Sequence, residues 1–170
     1  MRFGRSRDLV VCRHRRMPSV ACAQRSAAWP ARDLTLANSS TRKTFLNRPD
    51  FRHFQETLAA LREFCPTAFP VIVRTSIVPV TVDGMTKRRR NRFVIHLDRN
   101  LDEVTATGVL IHEWAHAMSG SLKHDRAADE FNSGKLTWTE FERACHDAGF
   151  GASFAEAWAT YTTRVLPEST

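Results

Sequence analysis

No stretch of this sequence approaches the roughly 18 uninterrupted apolar residues that a membrane span requires, so an integral membrane protein is not expected. No early apolar run is long enough for a secretory h-region, which argues against a cleaved signal peptide. Cysteine is sparse, with four residues at Cys12, Cys22, Cys65 and Cys145. None forms a C-x-x-C pair, so neither a zinc ribbon nor a thioredoxin-like motif is supported. Free thiols in a reducing compartment are the expectation. No internal repeat is visible, and there is a single tyrosine, Tyr161.

Acidic residues are nearly missing from one part of the chain. The 170 residues carry 25 Lys or Arg and 18 Asp or Glu, a formal charge of +7. Residues 1–45 hold ten of the basic residues and only Asp8 and Asp33, giving +8, so residues 46–170 carry −1. The basicity therefore belongs to an Arg-, Ser- and Ala-rich N-terminal tail without helical or strand period. Leu9, Val10 and Val11 are its only short apolar run, too small to offset the entropy of ordering. Residues 1–45 read as a disordered, solvated extension, or as residues upstream of a start at Met17. The same composition resembles an organellar transit peptide and would also contact nucleic acid through phosphates. A cytoplasmic protein is the default localisation. Hydrophobic residues at 42% and charged residues at 25% are ordinary globular values, so residues 46–170 are read as one folded domain.

Within that domain, Asn47–Cys65 predicts a helix, with Phe51, Phe54, Leu58, Leu61 and Cys65 on one stripe and Pro66 ending it. Val71–Val82 and Arg92–Asp98 predict two strands, with Phe93, Ile95 and Leu97 alternating in the second. Asp83-Gly84 predicts a turn, and Lys87-Arg88-Arg89-Arg90 falls in the connecting loop, solvated or in contact with acidic substrate or nucleic acid. Asn100, with Glu103 three residues on, predicts the N-cap of a helix running to about Ser119. Its buried face would hold Val104, Gly108, Ile111, Ala115 and Met118, with Gly108 allowing a close approach. A polar connection follows to about Leu136. Thr137 and Glu140 form a capping box for a short helix to about Cys145, and Ser153–Val165 predicts a last helix after Gly149 and Gly151.

The third helix contains His112-Glu113-Trp114-Ala115-His116. Residues four apart lie about 40° apart around a helix, one turn above the other, so both imidazoles can reach one metal ion. Zinc suits two such ligands plus a third, leaving an open position for water. Glu113, beside the first ligand, is placed to act as general base toward a metal-activated water. A chance match to H-E-x-x-H has a probability of roughly one to two per cent in a chain of this composition.

Three residues are candidates for the third ligand. His124 follows His116 without metzincin spacing. His146 stands where the capped helix ends, and Glu156 lies on the last helix. About 15 Å of helix would separate His146 from Glu156, so only one can bind. The motif followed by His146-Asp147-Ala148-Gly149-Phe150 resembles the SprT-like branch of zinc metallopeptidases across roughly residues 50–166. That resemblance implies His112, His116 and His146 as zinc ligands, Glu113 as catalytic base, and Phe150 as the aromatic behind the third ligand. Asp147 departs from the family's usual Gly. The Phe154–Tyr161 stretch also resembles the ligand helix of Glu-type zincins, which keeps Glu156 open. Tyr161 lies about 22 Å along a helix from His146 and is assigned a packing role. His96 reads as a satisfied strand histidine or one facing the cleft.

The expectation is a small α+β zincin-like domain, with a short sheet packed on the H-E-x-x-H helix. Its function would be zinc-dependent hydrolysis of peptide bonds in a protein or peptide substrate, held by strand addition along an exposed edge near Arg92–Leu97. The rival is a non-proteolytic zinc-containing binding domain, with nucleic-acid contact through the basic tail.

Overall fold

Phe93, Ile95 and Leu97 are fully buried along one strand, while Arg92, Val94 and His96 between them project to the opposite side. That alternation is the period-2 signature of a strand with one face on a core. The computed structural model describes residues 9–14, 50–78, 82–120 and 122–166. In order these form β1 (Leu9–His14), α1 (Arg52–Phe64), β2 (Val71–Ser76), β3 (Gly84–Arg89), β4 (Arg92–Asp98), α2 (Glu103–Ser119), α3 (Leu122–Asn132), α4 (Trp138–Cys145) and α5 (Ala148–Arg164). The chain is thus mixed α+β. Strands β3, β4 and β2 form a small sheet in which β4 is central, antiparallel to β3 and parallel to β2. The backbone of β1 pairs antiparallel with β3.

Helix α2 packs on one face of this sheet, and α1 and α5 pack on α2. From Ala106 to Ala117 every residue of α2 except Gly108 is buried. The core joins Phe54 and Leu61 of α1, Ile95 and Leu97 of β4, Leu110, Ile111 and Trp114 of α2, and Ala157 of α5. Trp114 satisfies its indole by donating to the Cys65 carbonyl at 3.0 Å. A separate cluster of Ala127, Ala128, Phe141 and Cys145 joins α3 to α4. Among the described residues no helix is long and apolar enough to cross a membrane.

Several expectations hold. Phe51, Phe54, Leu61 and Cys65 are buried, with Leu58 packed beside them. Thr137 and Glu140 make both capping-box contacts. Cys65 and Cys145 are free, buried thiols, and burial pushes the Cys65 thiol upward.

Others are corrected. Residues 84–89 are a strand, not a loop, and the turn falls at Arg90-Asn91. The strand from Val71 ends at Ser76, before Pro79, which lies outside the described residues with 80 and 81. Arg92–Asp98 is paired on both sides, so it offers no free edge for an added strand. The connection after Gly120 contains α3, whose inward positions are mostly alanine. The first helix begins at Arg52, and residues 47–49 lie outside those described. The expected tail contains β1; its other residues lie outside the described ones.

Asp102, not Asn100, caps α2 by accepting from the Thr105 N–H, while Asn100 donates to Asp98 Oδ1. Glu103 reaches across to accept from the His53 and Phe54 amides, at the first turn of α1. Val104 is 83% exposed, because the first turn of α2 lies beyond the buried stretch. Helix α5 begins five residues early, since Asp147 caps it and Gly149 and Gly151 sit inside it.

Two glycines on facing elements have opposite requirements. A Cβ at Gly84 would lie 2.5 Å from Val109 Cγ1, whereas one at Gly108 would meet nothing within 4 Å. Gly84→Ala should destabilise the protein by about 1–3 kcal/mol through overpacking. Gly108→Ala should stabilise it by up to about 1 kcal/mol through helix propensity. Urea unfolding of both variants checks the contrast, and equal shifts would contradict this packing of β3 on α2.

Candidate metal centre

Helix α2 presents His112 and His116 one turn apart, both buried. His146 arrives from the C-cap of α4, where its backbone N–H donates to the Glu142 carbonyl. The capping box that starts α4 and the Asp147 cap that starts α5 fix the chain on both sides of His146. The Nε2 atoms of His116 and His146 lie 3.1 and 3.2 Å from His112 Nε2, and one ligand atom from each residue lies within 4.8 Å of the others. The three histidines form a cluster that could hold a metal ion.

The donor set fits a tetrahedral cation. Ligand bonds of 2.0–2.1 Å at tetrahedral angles put ligating nitrogens roughly 3.3–3.4 Å apart, close to the two separations found. Three imidazole nitrogens aimed at one another cannot all be satisfied by sharing protons, whereas a cation accepts all three lone pairs. Burial holds the His146 imidazole below its ordinary value, opposed by the Glu142 carbonyl and carboxylate. That favours the neutral form, which is the one that ligates.

Phe150 closes the back of the cluster. Its ring centroid is 4.3 Å from that of His116, 4.6 Å from His146 and 5.0 Å from His112. Phe154 stacks on Phe150 one turn further along α5. Asp147 accepts from the Phe150 amide and so anchors the turn that carries this ring.

Glu113 is fully buried on the β3 side of α2. Thr86 Oγ1 donates to Glu113 Oε2 at 2.8 Å, while Oε1 is buried without a hydrogen-bond partner among the described residues. Desolvation pushes this carboxyl up to about 8, against the opposing effect of Thr86. A buried acid of raised pKa is one whose proton exchanges near neutral pH.

The other candidates lie elsewhere. Glu156 is exposed and near Cys65, outside the histidine cluster. Tyr161 packs against the core and Trp158. His96 lies on the opposite face of the sheet, with Nδ1 3.3 Å from Ser76 Oγ. His124 is buried, its Nε2 3.7 Å from Asp147 Oδ1, and is not part of the cluster. Sequence reasoning missed Thr86, because β3 lacked the apolar alternation that would have marked it as a strand. No family model, curated protein or solved structure matches this chain.

Replacing His112, His116 or His146 singly by Ala should weaken zinc binding by more than about 100-fold, beyond what loss of an outer-shell partner costs. Glu156→Ala should leave it unchanged. Chelator competition on the purified chain measures both, and a zinc loss in Glu156→Ala alone would reverse the assignment.

Glu113 also makes a prediction about pH. Its folded value lies above its unfolded one, so the metal-free protein binds the extra proton when folded. That stabilisation is fully present below about pH 4.5 and lost as pH rises through about 8. Glu113→Gln should therefore gain stability over the metal-free native chain by about 1.4 kcal/mol per pH unit across that window. A gain independent of pH would show that the carboxyl is not the titrating group.

Proposed function

We propose that the chain is a zinc-dependent hydrolase of peptide bonds. The observation that carries this reading is the convergence of His112, His116 and His146 on one point, with the buried carboxyl of Glu113 adjacent in sequence to the first of them. The resemblance of His112–His116 and of His146 with Phe150 to SprT-like zinc metallopeptidases supports the same reaction. Zinc, when bound, supplies a Lewis acid for the substrate carbonyl and lowers the pKa of a coordinated water.

The chain's own residues divide the remaining work. His112, His116 and His146 would hold the ion, and Phe150 covers their rings from solvent. Thr86 engages Oε2 of Glu113 and leaves Oε1 as the oxygen available for a proton. Glu113 takes a proton from the attacking water and delivers it to the leaving amine. Its burial makes it a stronger base than a solvated carboxylate, which suits proton transfer near neutral pH. A protein or peptide is the substrate class this chemistry serves.

Glu113→Gln should lower hydrolysis of an unfolded protein such as casein by about 10²–10⁴-fold, the usual contribution of a general base, with zinc still bound. Turnover equal to that of the native chain would refute the hydrolase reading. Loss of zinc in the variant would instead assign Glu113 a role in building the site.

A further inference from the structure

One side of the seam between α2 and α5 is left open, and it begins at the histidine cluster. The ring centroids of His116 and Phe150 lie 4.3 Å apart, and those of His112 and Phe154 lie 6.0 Å apart. Four residues back along α2 thus match four residues forward along α5. The two packed helices run antiparallel here, and the next step sets Gly108 against Trp158. Outside its own helix backbone, no atom among the described residues lies within 4 Å of where a Gly108 Cβ would stand. Trp158 is instead stacked on Phe154, with centroids 6.1 Å apart. The result is a recess with the Gly108 backbone as its floor and Phe154 and Trp158 as one wall.

Two observations separate this recess from an ordinary helix seam. Trp158 is 45% exposed although it continues the ring ladder from Phe150 through Phe154, and Val104, one turn beyond Gly108, is exposed as well. Large apolar side chains left in water forgo burial that an occupant of the recess would supply. The recess side of α5 also carries no formal charge. The only charged residues of that helix, Glu156 and Arg164, lie near Cys65 and over the Phe64 ring, at the end of α1. An apolar wall of this kind favours a neutral, apolar occupant and penalises a charged one.

We propose that this recess takes the aromatic or large aliphatic side chain of a peptide, at the residue next to the scissile bond. The inference rests on the hydrolase reading, whose site it adjoins, and adds a substrate class to it. Gly108 lies one helical turn, about 5.4 Å, from His112, within reach of a Phe, Leu or Met side chain whose backbone lies over the histidines. The Trp158 ring offers such a side chain edge-to-face or offset-stacked contact in addition to burial. Glycine at position 108 keeps the floor clear, because a side chain there would stand in the open space.

The test uses the zinc-loaded full chain carrying Glu113→Gln, so that bound peptide is not consumed. Fluorescence anisotropy compares fluorescein-labelled octapeptides that differ only in a central Phe, Ala or Glu. The Phe peptide should bind about tenfold tighter than the Ala peptide, as burial of most of a ring requires, and the Glu peptide no tighter than Ala. Trp158→Ala removes the wall and Gly108→Leu fills the floor. Each should bring the Phe-to-Ala ratio to within about twofold of one, with circular dichroism and zinc content unchanged. Equal binding of the Phe and Ala peptides before either change, or an unaltered ratio after either, would overturn the proposal. So would a native chain that sediments as a dimer and a Trp158→Ala chain that sediments as a monomer, which would give this face to a second copy. A Phe preference in a chain whose native form never cleaves casein would support the recess and count against the hydrolase reading alone.

Discussion

Two imidazoles and a carboxylate on a helix buried on almost every side are the constraint on which the structure turns. His112, Glu113 and His116 sit in the part of α2 that is enclosed by the sheet, α1 and α5. Buried ionisable groups are costly unless each finds a partner, so the surrounding elements have to supply them. Strand β3 supplies Thr86 to Glu113. The α4–α5 junction supplies His146 to the histidine pair and Phe150 to cover it. Neither element could shift by a residue without leaving a polar group stranded in the core.

The same constraint accounts for small details around the helix. Gly84 is tolerated at the start of β3 because a side chain there would collide with Val109, and that close approach brings β3 near enough for Thr86 to reach Glu113. Asp147 caps α5 just where the chain leaves His146, so the backbone of His146 and the covering phenylalanine are set by one turn. Arg88 ties β3 to Asp125 of α3 on this side of the sheet. The opposite side of the sheet carries Arg74 and Arg92, both exposed, so the two faces differ chemically.

Where a contact rested on local spacing, the sequence was a good guide. His112 and His116 are four residues apart on one helix, and helix geometry alone brings their rings together. Phe93, Ile95 and Leu97 declared a strand by alternation, and Thr137 with Glu140 declared a helix start. Less visible was anything that depends on a neighbour. Strand β3 has Met85 and Thr86 followed by three basic residues, and it is a strand because β4 and the backbone of β1 pair with it. Helix α3 buries His124, Ala127 and Ala128, a polar residue and two small ones that mark no apolar stripe. The single-stripe reading of α2 failed at Val104 and Gly108 because most of the helix is enclosed, not packed on one side. His146 meets the pair through tertiary folding, which local spacing does not show.

The most direct test of this account is zinc K-edge X-ray absorption on the zinc-loaded full chain. The account predicts one ion per chain, with outer-shell scattering from three imidazoles and zinc–nitrogen distances of about 2.0–2.1 Å. A shell of oxygens without imidazole scattering, or a chain that retains no zinc through gel filtration, would contradict it.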